Sequence, residues 1–370
     1  MIKFIVRRIF GFIPLLAGAV LISFFLMQLA PGGPASQMEQ NPRITEEQID
    51  RWLAKWCLTR GADFGSIAYE FAGWLGVINC QNEGVAVFFS EQGGLNILPT
   101  PLGGGDNGIL HGDLGISTTA GRPVLDVVTE RIPATLILTI TALTLWVTIA
   151  IIAGTYAALR RYSFFDQALT LVSYILFSLP TFWLGLMLIF LFGPALHLLP
   201  TGGIITTREW SPFNTSQYWE QFGGDPIGAI LDIGRHLILP VATLVAVNIA
   251  ADSRFVRASM LEALSQDFVR TARAKGLTGR VVVFKHAFRN ATLPIVTNVG
   301  LEMPFLFSGA IVTETIFVWP GMGRLFFDSL VNRDYFVLMG LLLFTTVLIL
   351  LANLIADVVY ALVDPRIRYD

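Results

Sequence analysis

Asp267-Phe-Val-Arg-Thr-Ala-Arg-Ala-Lys-Gly276, followed by His286-Ala-Phe-Arg-Asn290 and Leu293-Pro294, is where residue types and spacing point to work at an aqueous surface. Leu261, Leu264, Phe268, Ala272 and Lys275 recur at intervals of three and four, with Val269 beside them, which predicts a helix over 261–276. Alanine and straight-chain residues favour that helix, and Gly276 is placed to end it. Arg270, Arg273 and Lys275 would rim a small apolar face. Such a segment suits insertion into a groove on a partner, or attachment to a lipid surface as a cationic amphipathic helix. Its chemistry is that of docking.

Bond-making chemistry has little to stand on. The chain has no Gly-x-x-x-x-Gly-Lys-Ser/Thr tract to cradle phosphate, so no nucleotide hydrolysis is expected on it. Four scattered histidines and two cysteines suggest no metal site. Cys57 and Cys80 would be either one disulfide in an oxidising compartment or two unpaired small apolar side chains.

The flanking elements are apolar. Hydrophobic residues make up 54% of the chain and charged residues 14%, and the mean hydropathy is +0.64, outside the range of soluble proteins. Stretches near the ~20 residues needed to cross a hydrocarbon core predict six spans, at 9–30, 134–159, 168–193, 237–256, 292–312 and 336–360. The first is too long for a signal-peptide core and is read as retained. With the N-terminus in the cytoplasm, 15 of the 25 basic residues fall in short cytoplasmic segments beside span ends, as the positive-inside bias requires. Both termini then read as cytoplasmic. Nothing in the charge pattern calls for nucleic acid; membrane lipid is the expected surroundings.

Between the first two spans lies a long outer region. Pro31-Gly-Gly-Pro34 breaks the first helix, Thr45-Glu-Glu-Gln48 reads as a helix start, and Gly103-Gly-Gly-Asp-Asn-Gly108 as a flexible connector. Trp210, Tyr218 and Trp219 in the second outer loop suit interfacial anchoring or packing.

The tract 267–294 resembles the cytoplasmic coupling loop of ABC-transporter permeases, specifically the binding-protein-dependent dipeptide, oligopeptide and nickel permease family. Further tracts carry the same resemblance in order: Arg7-Arg8, Pro14 and Ala30–Pro34; Gly112-Asp-Leu-Gly-Ile-Ser117; Arg131-Ile-Pro-Ala-Thr135; Glu314-Thr-Ile-Phe-Val-Trp-Pro-Gly-Met-Gly323; Arg333-Asp-Tyr335; Asn353–Asp357; and Asp364-Pro-Arg-Ile-Arg368. The region 35–110 looks longer than is usual in that family.

The resemblance implies an all-α membrane protein with the six-helix type I ABC importer permease fold. Its parts would be a first span (1–33), an enlarged extracytoplasmic region (34–132), a transmembrane core (133–365) with a coupling loop at 257–291, and a cytoplasmic tail (366–370). It implies partners: a second homologous permease subunit, two ATP-binding subunits that would carry ATP and Mg2+, and an extracytoplasmic solute-binding protein. In that picture the ATPase-coupling residues are Leu264, Asp267, Phe268, Arg270, Ala272, Arg273, Lys275 and Gly276, with Phe268 and Ala272 in the partner's groove. His286, Asn290 and Pro294 would shape the loop, Pro294 marking re-entry into the membrane. Ser178, Pro180, Asn248, Asn298 and Glu302 are candidates for the translocation path. Glu314, Trp319, Pro320, Gly321 and Gly323 belong to an outer gate or its packing. The cargo would be short peptides or nickel; a non-transporting membrane scaffold is the competing function.

Overall fold

The computed structural model describes residues 2–29, 44–55, 58, 70–73, 75, 109, 112–307 and 310–363. Cys57, Cys80, the Gly103–Gly108 connector, Pro31–Pro34, the tail from Asp364 and most of the long outer region lie outside the described residues, as does the side chain of Glu302.

The described chain is helical, with one isolated antiparallel bridge between Ile116 and Pro123. The helices are α1 (Ile2–Leu29), α2 (Glu46–Lys55), α3 (Val124–Thr129), α4 (Ile132–Leu159), α5 (Phe164–Ser178), α6 (Thr181–Phe190), α7 (Ser216–Gly224), α8 (Pro226–Ser265), α9 (Asp267–Ala274), α10 (Arg289–Phe307), α11 (Ile311–Ile316), α12 (Met322–Val331) and α13 (Tyr335–Val363). Two π-helical segments join them, Leu191–Ala195 after α6 and Val282–Phe288 before α10.

Among the described residues four stretches are long and apolar enough to cross a membrane: Arg7–Phe25, Val124–Leu159, Pro226–Ser265 and Tyr335–Val358. The span expected at 168–193 is not one straight helix. It breaks after Ser178 and bends by 100° between α5 and α6. Leu179 is extended and Pro180 caps α6, because a proline disfavours helical backbone in the residue before it. The span expected at 292–312 appears as α10, which begins earlier, at Arg289. Polar residues Asn290, Thr292 and Asn298 interrupt its apolar sequence.

The chain divides into two compact units. One comprises Met1–Ile9, Arg131–Arg324 and Val347–Asp370, the other Phe10–Glu130 and Leu325–Thr346. In the first unit α8 is the hub, packing along α4 and touching α5, α6 and α10. The α4–α8 approach is close because Gly154 has no side chain; a Cβ there would lie 2.5 Å from the Ser253 carbonyl oxygen. Arg8 on α1 and Asp357 on α13 form an ion pair at 3.0 Å, which sets the start of the first helix beside the end of the last.

In the second unit, two sequence tracts more than 200 residues apart meet. Ser117 Oγ donates to Asp334 Oδ2 at 2.6 Å and the Thr119 N–H donates to the same oxygen at 3.0 Å. Asp334 is 1% exposed and stands just before the first residue of α13, where a carboxylate complements the helix N-terminus. Gly115 (φ +94°) lies against the Phe336 ring, where a Cβ would overlap it. These contacts anchor the loop ahead of α3 to the start of α13.

Candidate functional site

The helix expected over 261–276 begins later than its periodicity predicts. α8 runs on through Leu261 and Leu264 to Ser265; Gln266 is extended (ψ 152°), and α9 occupies only Asp267–Ala274. Leu264 therefore belongs to the end of α8, where it is partly buried. Asp267 in the first turn and Arg273 in the last both suit the helix dipole. At the C-terminus the Leu277 N–H donates to the Ala272 carbonyl (3.3 Å) and the Gly276 N–H to the Arg273 carbonyl (2.9 Å), the paired bonds of a Schellman cap. Gly276 has φ +75° and open space around it, so backbone conformation, not crowding, calls for glycine.

α9 has an inner and an outer side. Val269 is fully buried and Ala272 is 5% exposed, in a cluster with Ala158 of α4, Val256, Met260 and Ala263 of α8, and Val282, Ala287, Ala291 and Ile295 beyond. Ala272 is thus placed inside its own chain, which corrects its expected position in a partner's groove; the inner face needs a residue this small. Phe268 is 38% exposed, and Asp267, Arg270, Thr271, Arg273, Lys275 and Leu277 are exposed with it. Arg270 is ion-paired to Asp267 at 3.3 Å, with both side chains open to solvent, a contact worth little. The outer side thus carries a partly exposed ring among hydrated cations, braced from behind by apolar contacts.

The loop after α9 returns through a helical turn at Gly279–Val281 and the π-helical segment Val282–Phe288, which packs on α9. His286 is partly buried there and its carbonyl accepts from Asn290 Nδ2 at 2.7 Å. Pro294 is not the first residue of the helix that carries the next expected span. It lies exposed in the second turn of α10, which is continuous from Arg289.

The path candidates are not brought together. Ser178 Oγ donates to the Ile175 carbonyl and Asn248 Nδ2 to the Leu244 carbonyl, each within its own helix. Pro180 sits at the α5–α6 bend. Asn298 reaches across helices, donating to Asp252 Oδ1 at 3.0 Å; the Glu302 side chain is outside the described residues.

The tract 314–323 forms a tightly closed node. Glu314 and Trp319 are fully buried. Thr135 Oγ1 donates to Glu314 Oε1 (2.9 Å) and accepts from the Met322 N–H (2.7 Å), while the Arg324 N–H donates to Glu314 Oε2 (3.0 Å). Trp319 Nε1 donates to the Ala134 carbonyl at 2.8 Å. A side chain at Gly321 would overlap the Glu314 carboxyl and Thr135 hydroxyl, and one at Gly323 would press on the Ile311 backbone. The partly buried Pro320 lies between. Burial pushes the Glu314 carboxyl above the usual carboxylate range; hydrogen bonds from Arg324, Thr135 and Gly323 pull against it. The glycines and the acid are required by one another.

Sequence reading missed Asp252, Trp146 and the Asp166–Arg257 pair. Arg257 of α8 donates to both carboxylate oxygens of Asp166 on α5, at 2.5 and 2.7 Å, and the Tyr162 N–H donates to Asp166 at 2.9 Å. Asp166 follows Ser163 by three residues, and the Ser163 hydroxyl caps α5 by accepting from the Asp166 N–H. The start signal was available in the sequence; the distant arginine was not.

The fold and site define a multi-pass helical membrane protein with a short amphipathic helix, braced on one side, on a loop between long helices. Residues 147–369 match the family of binding-protein-dependent transport system inner membrane components, and the chain belongs to that family. It is therefore a permease subunit, a multi-pass inner membrane protein. It is 35% identical over 370 residues to the oligopeptide transport system permease protein AppB of Bacillus subtilis, covering 100% of both chains. It is 34% identical over 373 residues to the dipeptide transport system permease protein DppB of Escherichia coli K12, covering 100% of this chain and 99% of that one. The di/tripeptide transport system permease protein DppB of Pseudomonas aeruginosa is 34% identical over 370 residues, covering 100% of this chain and 99% of the relative.

Proposed function

We propose that this chain forms half of the translocation pathway of an ATP-driven importer of dipeptides or oligopeptides, and that α9 is its joint to a cytoplasmic ATPase. The observation that carries this reading is the two-sidedness of α9: Val269 and Ala272 hold it to the bundle while Phe268, Arg270 and Lys275 stand outward. The peptide cargo rests on the likeness, along the whole chain, to oligopeptide, di/tripeptide and dipeptide transport permeases.

In this account a second, related permease subunit completes the pathway. Two ATP-binding subunits carry ATP and Mg2+, and an extracytoplasmic solute-binding protein delivers the peptide. ATP-driven closure of the ATPase pair pushes α9, and Gly276 sets the turn through which the push reaches the returning loop. The chain crosses the membrane six times, counting α5–α6 as one bent span and α10 as another, with both termini in the cytoplasm; the Arg8–Asp357 pair supports placing them on one side. The outer region 34–132 is an enlarged segment facing the binding protein. Glu314, Trp319, Pro320, Gly321 and Gly323 pack the outer end rather than line it.

The complete complex, reconstituted in proteoliposomes with its solute-binding protein, is expected to take up labelled dipeptides or oligopeptides in an ATP-dependent manner. A solute-binding partner that binds nickel and no peptide would overturn the cargo assignment. A well-assembled complex with no ATP-dependent uptake of any solute would favour a scaffold.

A further inference from the structure

Three stripes of side chains in the first unit converge on the inner face of α9. On α8, Asp252, Val256, Met260 and Ala263 follow one another at spacings of four, four and three, so they share a helix face. On α4, Trp146, Ala150, Gly154 and Ala158 repeat at four, and on α10, Ile295 and Asn298 are three apart. The lower members, Ala158, Val256, Met260, Ala263 and Ile295, are in the apolar cluster that holds Val269 and Ala272. The upper members are joined by polar contacts. Trp146 Nε1 donates to Asp252 Oδ2 at 2.9 Å and Asn298 Nδ2 donates to Asp252 Oδ1 at 3.0 Å.

Asp252 is 5% exposed and Trp146 is 2% exposed. An acid at this place on a membrane helix is costly unless its oxygens are used, and membrane helices keep such groups where they join helices or serve transport. Beside it a small recess lined by Ala150, Ile151, Phe255, Ile295 and Val299 separates the apolar surfaces of the three helices. Apolar packing alone leaves that level incompletely closed. The carboxylate closes it with two directional bonds, one to each neighbouring helix.

We propose that Asp252 is a positioning residue of the coupling step: through Trp146 and Asn298 it fastens α4 and α10 to α8, so that displacement of α9 moves all three helices as one body. This rests on the reading of α9 as the ATPase joint. Without the fastening, the apolar cluster would still receive the push, but the helices above it would slide instead of moving together. ATP would then be hydrolysed with little peptide carried.

The test uses the complete complex in proteoliposomes with its solute-binding protein, and reads peptide transported per ATP hydrolysed, assembly yield and melting temperature. Asp252→Leu and Trp146→Phe are each expected to lower transport per ATP by about fivefold or more, the lower end of usual coupling effects. Trp146→Phe keeps a ring in the packed site and removes only the N–H donor, so it decides the matter if Asp252→Leu does not assemble. Asp252→Asn retains an acceptor for Trp146 and a donor for the Asn298 carbonyl oxygen after an amide flip, and is expected to keep most of the wild-type ratio. A merely structural role would lower yield and melting temperature and leave the ratio unchanged. Wild-type transport per ATP in assembled Trp146→Phe would overturn the proposal. Absence of ATP-driven peptide uptake by the wild-type complex would instead sink the permease reading beneath it.

Discussion

Ala272→Phe is expected to leave the membrane helices assembled while cutting transport by about 5–150-fold, the usual range when 1–3 kcal/mol of coupling is lost. Ala272 is 5% exposed and belongs to the apolar cluster that includes Val256, Met260 and Ala287, so a ring there would have to displace its neighbours. Overpacking a site of this kind costs about 1–3 kcal/mol. The cheapest relief is for α9 to lift away, because it is a short helix joined to α8 only through the extended Gln266. A lifted α9 presents Phe268 to its partner at the wrong height and angle. Transport-stimulated ATP hydrolysis should fall with uptake, while the chain's incorporation into the complex should not. If both activities remain at wild-type levels in an assembled complex, α9 is not the joint.

The second large effect belongs to stability. Glu314→Ala removes the acceptor shared by Thr135, Arg324 and Gly323 in a fully buried setting, and leaves those donors unanswered. Each orphaned donor costs about 1–3 kcal/mol, so a total of roughly 3 kcal/mol or more is expected. The readout is the melting temperature of the detergent-purified complex. Glu314→Gln preserves one acceptor oxygen and should recover part of the loss. A wild-type melting curve for Glu314→Ala would show that the node does not hold its surroundings together. The same geometry predicts that glycine at 321 cannot be relaxed independently, since a side chain there occupies the space of the carboxyl.

Local signals in the sequence located what local forces determine. Gly276 was recognisable as a helix end because its positive φ and Schellman bonds are a short-range arrangement. Helical spacing groups Phe268 and Lys275 with Ala272 and puts Arg270 on the charged rim, so periodicity alone does not separate the inner from the outer side. The start of α9 was not recognisable, because the three-and-four periodicity continues smoothly from Leu261 to Phe268 and the break depends on the ψ of Gln266, a residue with no breaking side chain. Pro180 was noticed for its position in a span, yet its effect, a 100° bend, depends on how α5 and α6 then pack.

Long-range pairs were out of reach for the same reason. Ser117 and Asp334 are 217 residues apart and Thr135 and Glu314 are 179 apart, so each half looks like an unexplained motif until the fold joins them. Asp252 gave a fainter signal, an acid within an apolar helix, but its meaning depends on a tryptophan 106 positions earlier. Ala272 shows the converse: a small, helix-forming side chain on an amphipathic stretch is legible in the sequence, but which side of the helix it turns to the chain's own core is not.

In the proposed mechanism the outer face of α9 is covered by a cytoplasmic ATPase subunit while its inner face stays within this chain. A photo-crosslinking amino acid placed singly at Phe268 and at Val269, in the assembled complex, separates the two faces directly. Position 268 should yield a crosslink to the ATPase subunit that changes in yield with ATP, and position 269 should yield only crosslinks within this chain. A position 268 that crosslinks to lipid alone, in a complex that transports peptide, would contradict the account.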